Sequence, residues 1–526
     1  MMIFVLWSIM KAAKPSDLSE ADSIEYDEQT IPIVIKYTFS AVTIISYSIT
    51  AGMSSVLPLQ EKKGGLRHMM KLFGLSPFEY WFGMFLADLV IVLVPACAAT
   101  IVLLVNDLIM EREYVGEFFV DFVLFVTAIN CFSYLFSHAF TDPDTAIKNL
   151  SLIYTFGMFV GPLVITLIVA AFIDFENVWS AAISFWFFFS PFFTFLTYTL
   201  NICVRESVIE DVTFSVGAND TVVDLKIAAG VYLYQIIIIF AIVVLIDWQI
   251  GRSYKRADSH PDAKMPPHLE VYQDVRDHEE AVRGSNGLAE SDPEYLQVRA
   301  VDLCKTYPNA RQMAVCRNTF GVKKGEVYGL LGPNGAGKST TFGMMAMQFP
   351  VTSGSAELMG HPITDLDLSK YGKFFGICNQ ENLIWDEMTV DESLNLVASL
   401  KGISGQRREI VKRIITQNLD LTPFKNTLSK NLSGGNKRKL CCAQAIILSP
   451  KVLFLDEPTC GVDPVSRRSL NRMIKKMKHA SVLLTTHRMD EAEQLCDKIA
   501  IMINGRFVVF GSPNYLKNQY GHGYNI

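Results

Sequence analysis

The chain has 526 residues, and half of them are hydrophobic, which is a high fraction for a wholly soluble protein. The formal net charge is −6, and neither half of the sequence contains a dense basic stripe, so the composition argues against nucleic acid as the main partner. Ten cysteines are scattered without a C-x-x-C pair, a pattern typical of free thiols in a reducing compartment rather than of a metal site.

The apolar sequence is concentrated in the first half of the chain. Charged residues dominate after residue 250, so one membrane half and one soluble half is the simplest division. Five apolar runs have about the length that a bilayer requires, and they lie at 31–57, 79–105, 116–140, 151–174 and 228–249. We therefore expect a transmembrane domain at 31–250, preceded by an N-terminal segment, 1–30, that is extracytoplasmic or of unclear role.

The aromatic segment 179–200 is interrupted by Pro191 and has two interpretations. Either it forms a sixth span, or it forms two half-inserted helices that meet at the proline. Lys and Arg are enriched in cytoplasmic loops. Five spans place the basic loop around Lys62 and the cluster ending at Arg256 on the same, cytoplasmic side. The topology therefore favours the broken hairpin.

The second half of the chain has a different pattern. Residues 251–295 contain prolines and alternating charges without apolar periodicity, which predicts a cytoplasmic linker. From 296 to 526, predicted strands and helices alternate. This alternation predicts a mainly parallel sheet flanked by helices.

A glycine-rich loop lies between a predicted strand at 327–331 and a predicted helix at 341–348. It fits the phosphate-loop pattern G-x-x-x-x-G-K-[ST] in the strand, loop and helix context that the pattern requires. Backbone N–H groups and the positive end of the helix surround a phosphate chain in such a loop. We expect Lys338 to reach the β- and γ-phosphates and the Ser339 hydroxyl to bind Mg²⁺. The predicted nucleotide-binding residues are Gly332, Pro333, Asn334, Gly335, Ala336, Gly337, Lys338, Ser339 and Thr340.

Two further motifs carry chemistry. An apolar strand ends in Asp456 and Glu457, a form suited to a buried parallel strand beside the phosphate loop. We expect Asp456 to contribute to Mg²⁺ binding and Glu457 to polarise an attacking water. Ser433, Gly434 and Gly435 open another helix, whose N-terminus is a second anion site. One nucleotide cannot obviously use both sites of one domain, so the sequence predicts a second copy of the domain.

These motifs occur in an order that resembles the nucleotide-binding domain of ABC transporters. The order runs from the Lys338 loop through Gln380, the turn at 432–435 and the acid pair to His487, and the resemblance covers residues 296 to about 515. It implies an α/β P-loop NTPase of ABC type that uses ATP and Mg²⁺. It also implies a head-to-tail dimer, in which ATP is held between the phosphate loop of one domain and the Ser-Gly-Gly turn of the other.

Four residue roles are implied by position within this resemblance. Tyr307 matches the aromatic residue that stacks on adenine. Gln380 matches the glutamine that contacts Mg²⁺ and the attacking water, and Asp463 matches the aspartate that contacts the opposite domain. His487 matches the histidine that contacts the γ-phosphate. The predicted catalytic residues are therefore Glu457, His487 and Gln380, and the predicted Mg²⁺ ligands are Ser339, Gln380 and Asp456.

The finer resemblance is to the A subfamily, whose members place an α-helical polytopic membrane domain before the nucleotide-binding domain. It rests on residues 436–440 and 461–464, and on the segment 58–78, which is similar to the subfamily's cytoplasmic coupling loop. Asn379 stands where the subfamily usually has proline. Members normally contain two halves of six spans each, so this chain resembles one half, N-terminally truncated. The resemblance implies a lipid or sterol cargo.

The sequence leaves two functional hypotheses. In the first, the chain is the ATP-hydrolysing half of a multi-pass transporter with a cytoplasmic nucleotide-binding domain, and it acts with a second half or a second copy of itself on a lipid-like substrate. In the second, it is a truncated product or regulatory partner that binds ATP and transports nothing without a second half. A soluble ATPase that acts on ribosomes or DNA is disfavoured by the predicted spans.

Overall fold

The computed structural model describes residues 42–48, 51–105, 112–162, 164–165, 185–205, 215–216, 221–222, 224–252, 271–285, 288, 292, 295–307, 310, 312–366 and 368–521. The segment 1–30, the ends of two predicted spans, the start of the aromatic hairpin and residues 253–270 of the predicted linker lie outside these ranges. The described residues form two compact units. One contains the chain up to Lys63 and from Pro77 to Asp247, and the other contains Gly64–Ser76 and the chain from Trp248 onward.

In chain order, the helices up to residue 284 include α1 (Val56–Lys63), α2 (Leu66–Leu72), α3 (Pro77–Val105), α4 (Arg112–Ser137), α5 (Pro143–Leu152), α6 (Pro191–Arg205), α7 (Leu225–Arg252) and α8 (Gln273–Gly284). A 3₁₀ turn, Ala51–Ser55, precedes α1, and a π-helix, Ile153–Val160, follows α5. A short antiparallel pair is formed by β1 (Ser215–Val216) and β2 (Thr221–Val222).

The first unit is helical and apolar. Among the described residues, four helices are long and apolar enough to cross a membrane: Val42–Lys63, Pro77–Val105, Arg112–Ser137 and Leu225–Gln249. They overlap four of the predicted spans. The fifth, 151–174, covers the end of α5 and the π-helix, and most of its remaining residues lie outside the described ranges. Val90, Ile91 and Val94 on α3 are each at least 65% exposed. An apolar face of this kind is suited to contact with lipid rather than water.

The aromatic hairpin segment is broken at the proline, as its sequence predicts. Residues 185–189 are helical, Ser190 is not, and α6 begins at Pro191. Proline has no N–H to donate into the preceding turn and is well suited to the first position of a helix. Thr194 Oγ1 donates to the carbonyl of Phe187 at 2.7 Å across the break. Also on α6, Phe195 stacks on Phe125 of α4, with ring centroids 4.4 Å apart.

The second unit contains two sheets. Their strands are β3 (Leu296–Lys305), β4 (Val315–Lys323), β5 (Val327–Leu331), β6 (Ser353–Leu358), β7 (His361–Pro362), β8 (Phe375–Cys378), β9 (Val452–Asp456), β10 (Ser481–Thr486), β11 (Lys498–Ile503) and β12 (Arg506–Gly511). The larger sheet has the order β12-β11-β5-β10-β9-β8, and only β12 is antiparallel. The predicted mainly parallel sheet is confirmed. The smaller sheet, β4-β3-β6-β7, is antiparallel and was not predicted.

Helices flank these sheets. They are α9 (Lys338–Met345), α10 (Leu368–Tyr371), α11 (Val390–Leu400), α12 (Gly405–Asn418), α13 (Gly434–Ile446), α14 (Pro464–Lys476), α15 (Met489–Leu495) and α16 (Pro513–Tyr520). Three 3₁₀ turns lie at Gly372–Phe374, Thr422–Phe424 and Ser429–Asn431. Because β5, β9 and β10 are parallel neighbours, the phosphate loop after β5 and the acid pair after β9 lie at the same edge of the sheet.

Helix α8 lies within residues 251–295, the predicted linker. It belongs to the second unit and buries Val275 and Val282. Arg283 near its end forms a two-armed ion pair with Asp302, with both N···O distances at 2.8 Å. Val275 and Val282 are the buried residues of this helix. Two buried apolar positions in an otherwise charged sequence do not produce a recognisable helical hydrophobic pattern.

Residues 64–76 pack into the second unit. Gly65 has a φ of 74° and precedes α2, a conformation that favours glycine. Met69 and Phe73 are buried in the same apolar cluster as Val390 of α11. There is no room for a side chain at Gly372, because its Cβ would lie 2.3 Å from the carbonyl oxygen of Leu72. The segment is therefore fitted closely to the surface formed by α11 and the residues before β8.

Lys401 connects this segment with β8. Its ammonium lies 5.0 Å from the centre of the Phe73 ring and donates to the carbonyl oxygen of Phe375 at 2.8 Å. Burial lowers the pKa of Lys401 to about 7. One side chain thus contacts both residues 64–76 and the strand that leads to Gln380.

Candidate functional site

The phosphate loop has the backbone that its glycines predict. Gly335 and Gly337 have φ angles of 80° and 102°, which side chains other than glycine rarely adopt. A Cβ at Gly332 would lie 2.3 Å from the carbonyl oxygen of Met502. Helix α9 begins directly after this loop, so its unpaired N–H groups and positive end face the loop.

Lys338 closes the loop. Its ammonium donates to the carbonyl oxygens of Gly332 and Pro333, both at 2.9 Å. Burial lowers the pKa of Lys338, while the nearby carboxylates of Glu457 and Asp456 act in the opposite direction. A phosphate chain in the loop offers this ammonium stronger, charged acceptors than the two carbonyls.

Asp456 lies at the end of β9, directly opposite Thr485 in the register with β10. One carboxylate oxygen accepts hydrogen bonds from the Thr485 hydroxyl and, at 3.3 Å, from Ser339 Oγ. Burial raises the pKa of Asp456, and these two hydroxyls only partly offset that effect. A buried carboxylate beside a hydroxyl is a fitting oxygen donor set for Mg²⁺, which usually takes one or two carboxylates together with substrate phosphates.

Glu457 follows in a strained conformation. Its φ is 45°, a region that costs free energy in residues other than glycine and is often found at functional sites. The backbone N–H is held by the carbonyl of Thr485 at 3.1 Å. Oε1 lies 3.0 Å from Nδ1 of His487, and Oε2 accepts from Nε2 of Gln380 at 3.4 Å. The turn therefore directs the carboxylate toward both of these side chains.

The predicted catalytic residues and most of the loop meet in one cavity of about 470 Å³. Tyr307 does not line this cavity. Its hydroxyl, however, lies 3.3 Å from Oγ1 of Thr340, and Thr340 does line the cavity. Stacking of Tyr307 on adenine stays a prediction. The residues that line the cavity are Ala314, Asn334, Gly335, Gly337, Lys338, Ser339, Thr340, Gln380, Glu457, Cys460 and His487.

The Ser-Gly-Gly turn lies apart from this cavity. Ser433 and Gly434 are exposed, and neither they, Gly435 nor Asp463 lines it. Ser433 Oγ accepts from the N–H of Asn436 at 3.4 Å and so caps α13. Asp463 caps α14 by accepting from two backbone N–H groups, and the bond from Ser466 is the main cause that lowers its pKa. One copy of the chain therefore presents two separate surfaces.

Sequence reasoning missed the residue that links these surfaces. Arg438 of α13 is buried, and its guanidinium donates to the backbone carbonyl oxygens of Asn379, Gln380, Asp456, Glu457 and Pro458. The only signal in the sequence was a run of basic residues at 437–439 just after the glycines. Its role depends on the backbone positions of two distant loops, which no local pattern encodes.

Asn379, where proline was expected, is also anchored. Its side chain accepts from Nε2 of Gln348, and its carbonyl accepts from Arg438. These two bonds fix the residue before Gln380 without the ring of a proline. Thr485 is a second missed residue, since its hydroxyl and backbone hold both Asp456 and Glu457.

Comparisons with known proteins give the same division of the chain. Residues 316–460 match the family described as ABC transporter, and residues 9–246 match the family described as ABC-2 family transporter protein. Human ATP-binding cassette sub-family A member 2 is 32% identical over 518 residues, which are 96% of this chain and 21% of that protein. Rattus norvegicus phospholipid-transporting ATPase ABCA3 is 29% identical over 520 residues, which are 92% of this chain and 30% of that protein.

Among solved structures, an ATP binding subunit of an ABC transporter is 29% identical and matches 43% of this chain and 93% of that chain, with a TM-score of 0.40. The chain spans only 21% and 30% of the length of the two curated relatives named above.

Proposed function

Because the chain belongs to the ABC transporter family, we propose that it is the ATP-binding and hydrolysing half of a transporter that moves a lipid-like substrate across or out of a membrane. The observation that carries this proposal is the position of the Glu457 carboxylate. It lies within 3.0 Å of His487 and 3.4 Å of Gln380, in the same cavity as the phosphate loop.

ATP binds with its phosphates along the loop at 332–340. Lys338 leaves the carbonyls of Gly332 and Pro333 and pairs with the phosphates. Ser339, Asp456 and Gln380 would hold Mg²⁺, which would supply positive charge to offset that of the phosphates. Glu457 accepts a proton from the attacking water, and His487 keeps the carboxylate in position.

The second surface acts on a different nucleotide. The exposed N-terminus of α13, with Ser433 and Gly434, binds the phosphates held by the loop of a second copy or of a different half. Asp463 contacts that partner. A complete site therefore needs two nucleotide-binding domains, and ATP favours their closed arrangement by binding it more tightly than the open one.

Residues 64–76 carry this movement toward the membrane helices. They lie between α1 and α3 in the chain, yet they pack on the nucleotide-binding unit. Contacts of Lys401 with Phe73 and with the carbonyl of Phe375 join the segment to β8, which leads to Gln380. The lipid class of the cargo is supported by the names of the relatives, one of which is a phospholipid-transporting ATPase.

Mg²⁺-dependent ATP hydrolysis by the purified chain in lipid nanodiscs tests the proposal. Turnover per chain is expected to rise with chain concentration, because a second surface completes the site. Glu457→Gln is expected to lower turnover by about 10²- to 10⁴-fold, the usual contribution of a general base, and to leave ATP binding intact. Glu280→Gln, an exposed carboxylate on α8, is the matched control and is expected to retain full turnover.

The outcomes separate the two hypotheses. Hydrolysis that depends on Glu457 and on concentration supports a competent pair of identical chains, and transfer of a labelled phospholipid between vesicles is then the assay for cargo. ATP binding without turnover at any concentration supports instead a partner subunit that needs a different half.

The role of residues 64–76 has its own test, Gly372→Val. The added side chain meets the carbonyl of Leu72, so the segment should leave its place and trypsin should cleave after Lys71 at least about fivefold faster, as expected for a locally opened segment. Gly284→Val is the control, since nothing lies within 4 Å of its Cβ position. Equal cleavage in both variants would argue against docking of this segment.

A further inference from the structure

Two cysteines face each other behind the catalytic loops. Cys378 is the last residue of β8 and Cys442 lies in α13. Their sulfur atoms are 3.5 Å apart, and both side chains are buried. The position of Cys378 matters because Gln380 follows it by two residues, while α13 starts at the Ser433 turn. The pair thus joins the strand of the catalytic glutamine to the helix of the second anion site.

The two thiols are placed for reaction with each other. One sulfur donates its S–H to the other across the 3.5 Å that separates them. The thiolate is the nucleophilic form of cysteine. Once one of the two sulfurs is oxidised, the other is already in contact with it and is placed to resolve the product.

The neighbouring Cys441 provides a natural comparison. It is also buried, but its sulfur lies toward Asn382, 3.8 Å from Oδ1, and burial raises its pKa. Adjacent residues on a helix point in different directions. Cys441 and Cys442 are adjacent and both buried, but the sulfur of Cys442 contacts Cys378 and the sulfur of Cys441 contacts Asn382.

We propose that Cys378 and Cys442 form a reversible disulfide when a hydroperoxide reaches them, and that this bond disturbs the loop carrying Gln380. One of the two sulfurs, as its thiolate, attacks one oxygen of hydrogen peroxide, the O–O bond breaks, and a sulfenic acid forms while hydroxide takes up a proton to become water. The other cysteine then loses its proton and attacks the sulfenic sulfur, and the second oxygen leaves as water. The two thiols lose two electrons, and the peroxide gains them.

The bond requires movement. An S–S bond is about 2.05 Å long, so sulfurs now 3.5 Å apart must approach each other. Arg438 holds the carbonyls of Asn379 and Gln380 from the same helix as Cys442. A shift of β8 against α13 therefore breaks or displaces these bonds and moves Gln380 away from Glu457.

Peptide mapping of the full chain in lipid nanodiscs tests the bond itself. After treatment with hydrogen peroxide and blocking of free thiols, trypsin is expected to yield peptide 374–401 linked to peptide 440–451, which hold Cys378 and both neighbouring cysteines. The link should disappear on reduction with dithiothreitol. Cys442→Ser should abolish it, whereas Cys441→Ser should retain it. Absence of the link, or its persistence in Cys442→Ser, overturns the proposal.

Amide hydrogen exchange tests the effect on the loop without any need for ATP turnover. Oxidation is expected to accelerate exchange at residues 379–383 by about fivefold or more, as for a locally loosened segment, in the parent chain and in Cys441→Ser but not in Cys442→Ser. A linked chain with unchanged exchange contradicts the proposal. Failure of hydrolysis, by contrast, bears only on the proposed transporter function and leaves both of these measurements decisive.

Discussion

The second unit contains two helix N-termini that follow glycine-rich turns, and they differ in what surrounds them. Helix α9 begins beside a buried lysine, an oxygen donor set for a metal and a strained glutamate. Helix α13 begins at an exposed turn, where the Ser433 hydroxyl caps the helix by accepting from the N–H of Asn436. In the proposed function the first binds and activates a nucleotide, while the second contributes N–H groups and a positive helix end.

This difference is the reason that the proposed site needs a second chain. A helix N-terminus stabilises negative charge, but it supplies neither a base nor a metal ligand. The two surfaces are complementary, because each provides what the other lacks. Four substitutions test this division, beginning with the one that should have the largest effect.

Lys338→Ala should remove nucleotide binding by the first surface. A hydrogen bond to a charged group contributes about 1.5–3 kcal/mol, so the loss of this ammonium should weaken Mg²⁺-ATP binding by about 10- to 100-fold. Titration calorimetry at low chain concentration measures it. Lys324→Ala, at an exposed lysine in the same unit, is expected to bind as the parent does. Unchanged affinity in Lys338→Ala would place the phosphates elsewhere.

Ser433→Glu should leave the first surface intact and block the second. The new carboxylate repels a partner's phosphates, so hydrolysis at high chain concentration should fall by about tenfold, at the low end of the coupling energies of about 1.5–7 kcal/mol for close charge pairs across interfaces. ATP binding by the dilute chain should not change. Ser404→Glu, which adds the same charge at the start of α12, is the control. Equal losses in both variants would show a general charge effect instead.

Arg438→Lys tests the link between the two surfaces. A lysine retains the charge but cannot donate to all five carbonyls that the planar guanidinium reaches. Hydrolysis should fall several-fold at saturating ATP, with little change in KM, since the loop rather than nucleotide binding is disturbed. Arg472→Lys on α14, an exposed position, should be neutral. A rise in KM alone would assign Arg438 to binding.

Asp456→Asn should raise stability while it removes metal-dependent turnover. The folded-state pKa of Asp456 is raised by burial, so its contribution to stability is present at low pH and is lost as the pH rises through that pKa. The variant should therefore melt about 2–4 °C higher at pH 7.5 without Mg²⁺, as for a change of about 1 kcal/mol in a domain of this size. The difference should shrink toward pH 4.

A suitable control for this pH effect is Asp490→Asn. The pKa of Asp490 is lowered by Arg488 rather than raised, so its replacement should give no gain at pH 7.5. A higher melting temperature in both variants would indicate a general effect of lower charge.

Much of the nucleotide site was predictable because its chemistry is local. The phosphate loop needs glycines at fixed spacing before a lysine, and the structure gives Gly335 and Gly337 positive φ angles. The ABC family, predicted from the order of the motifs, is confirmed by the comparisons. The mainly parallel sheet, predicted from the alternation of strands and helices, is confirmed by the fold. The break at Pro191 was equally local.

The tertiary structure decided what depends on distant contacts. The five carbonyls around Arg438, the place of residues 64–76 against Gly372 and the short distance from Cys378 to Cys442 all join segments far apart in the chain. Local spacing specifies backbone conformation and residue chemistry, and so determined which groups could bind phosphate. Only the packing of helices on the sheet determined which of them meet, because side-chain proximity between remote segments is set by the whole fold.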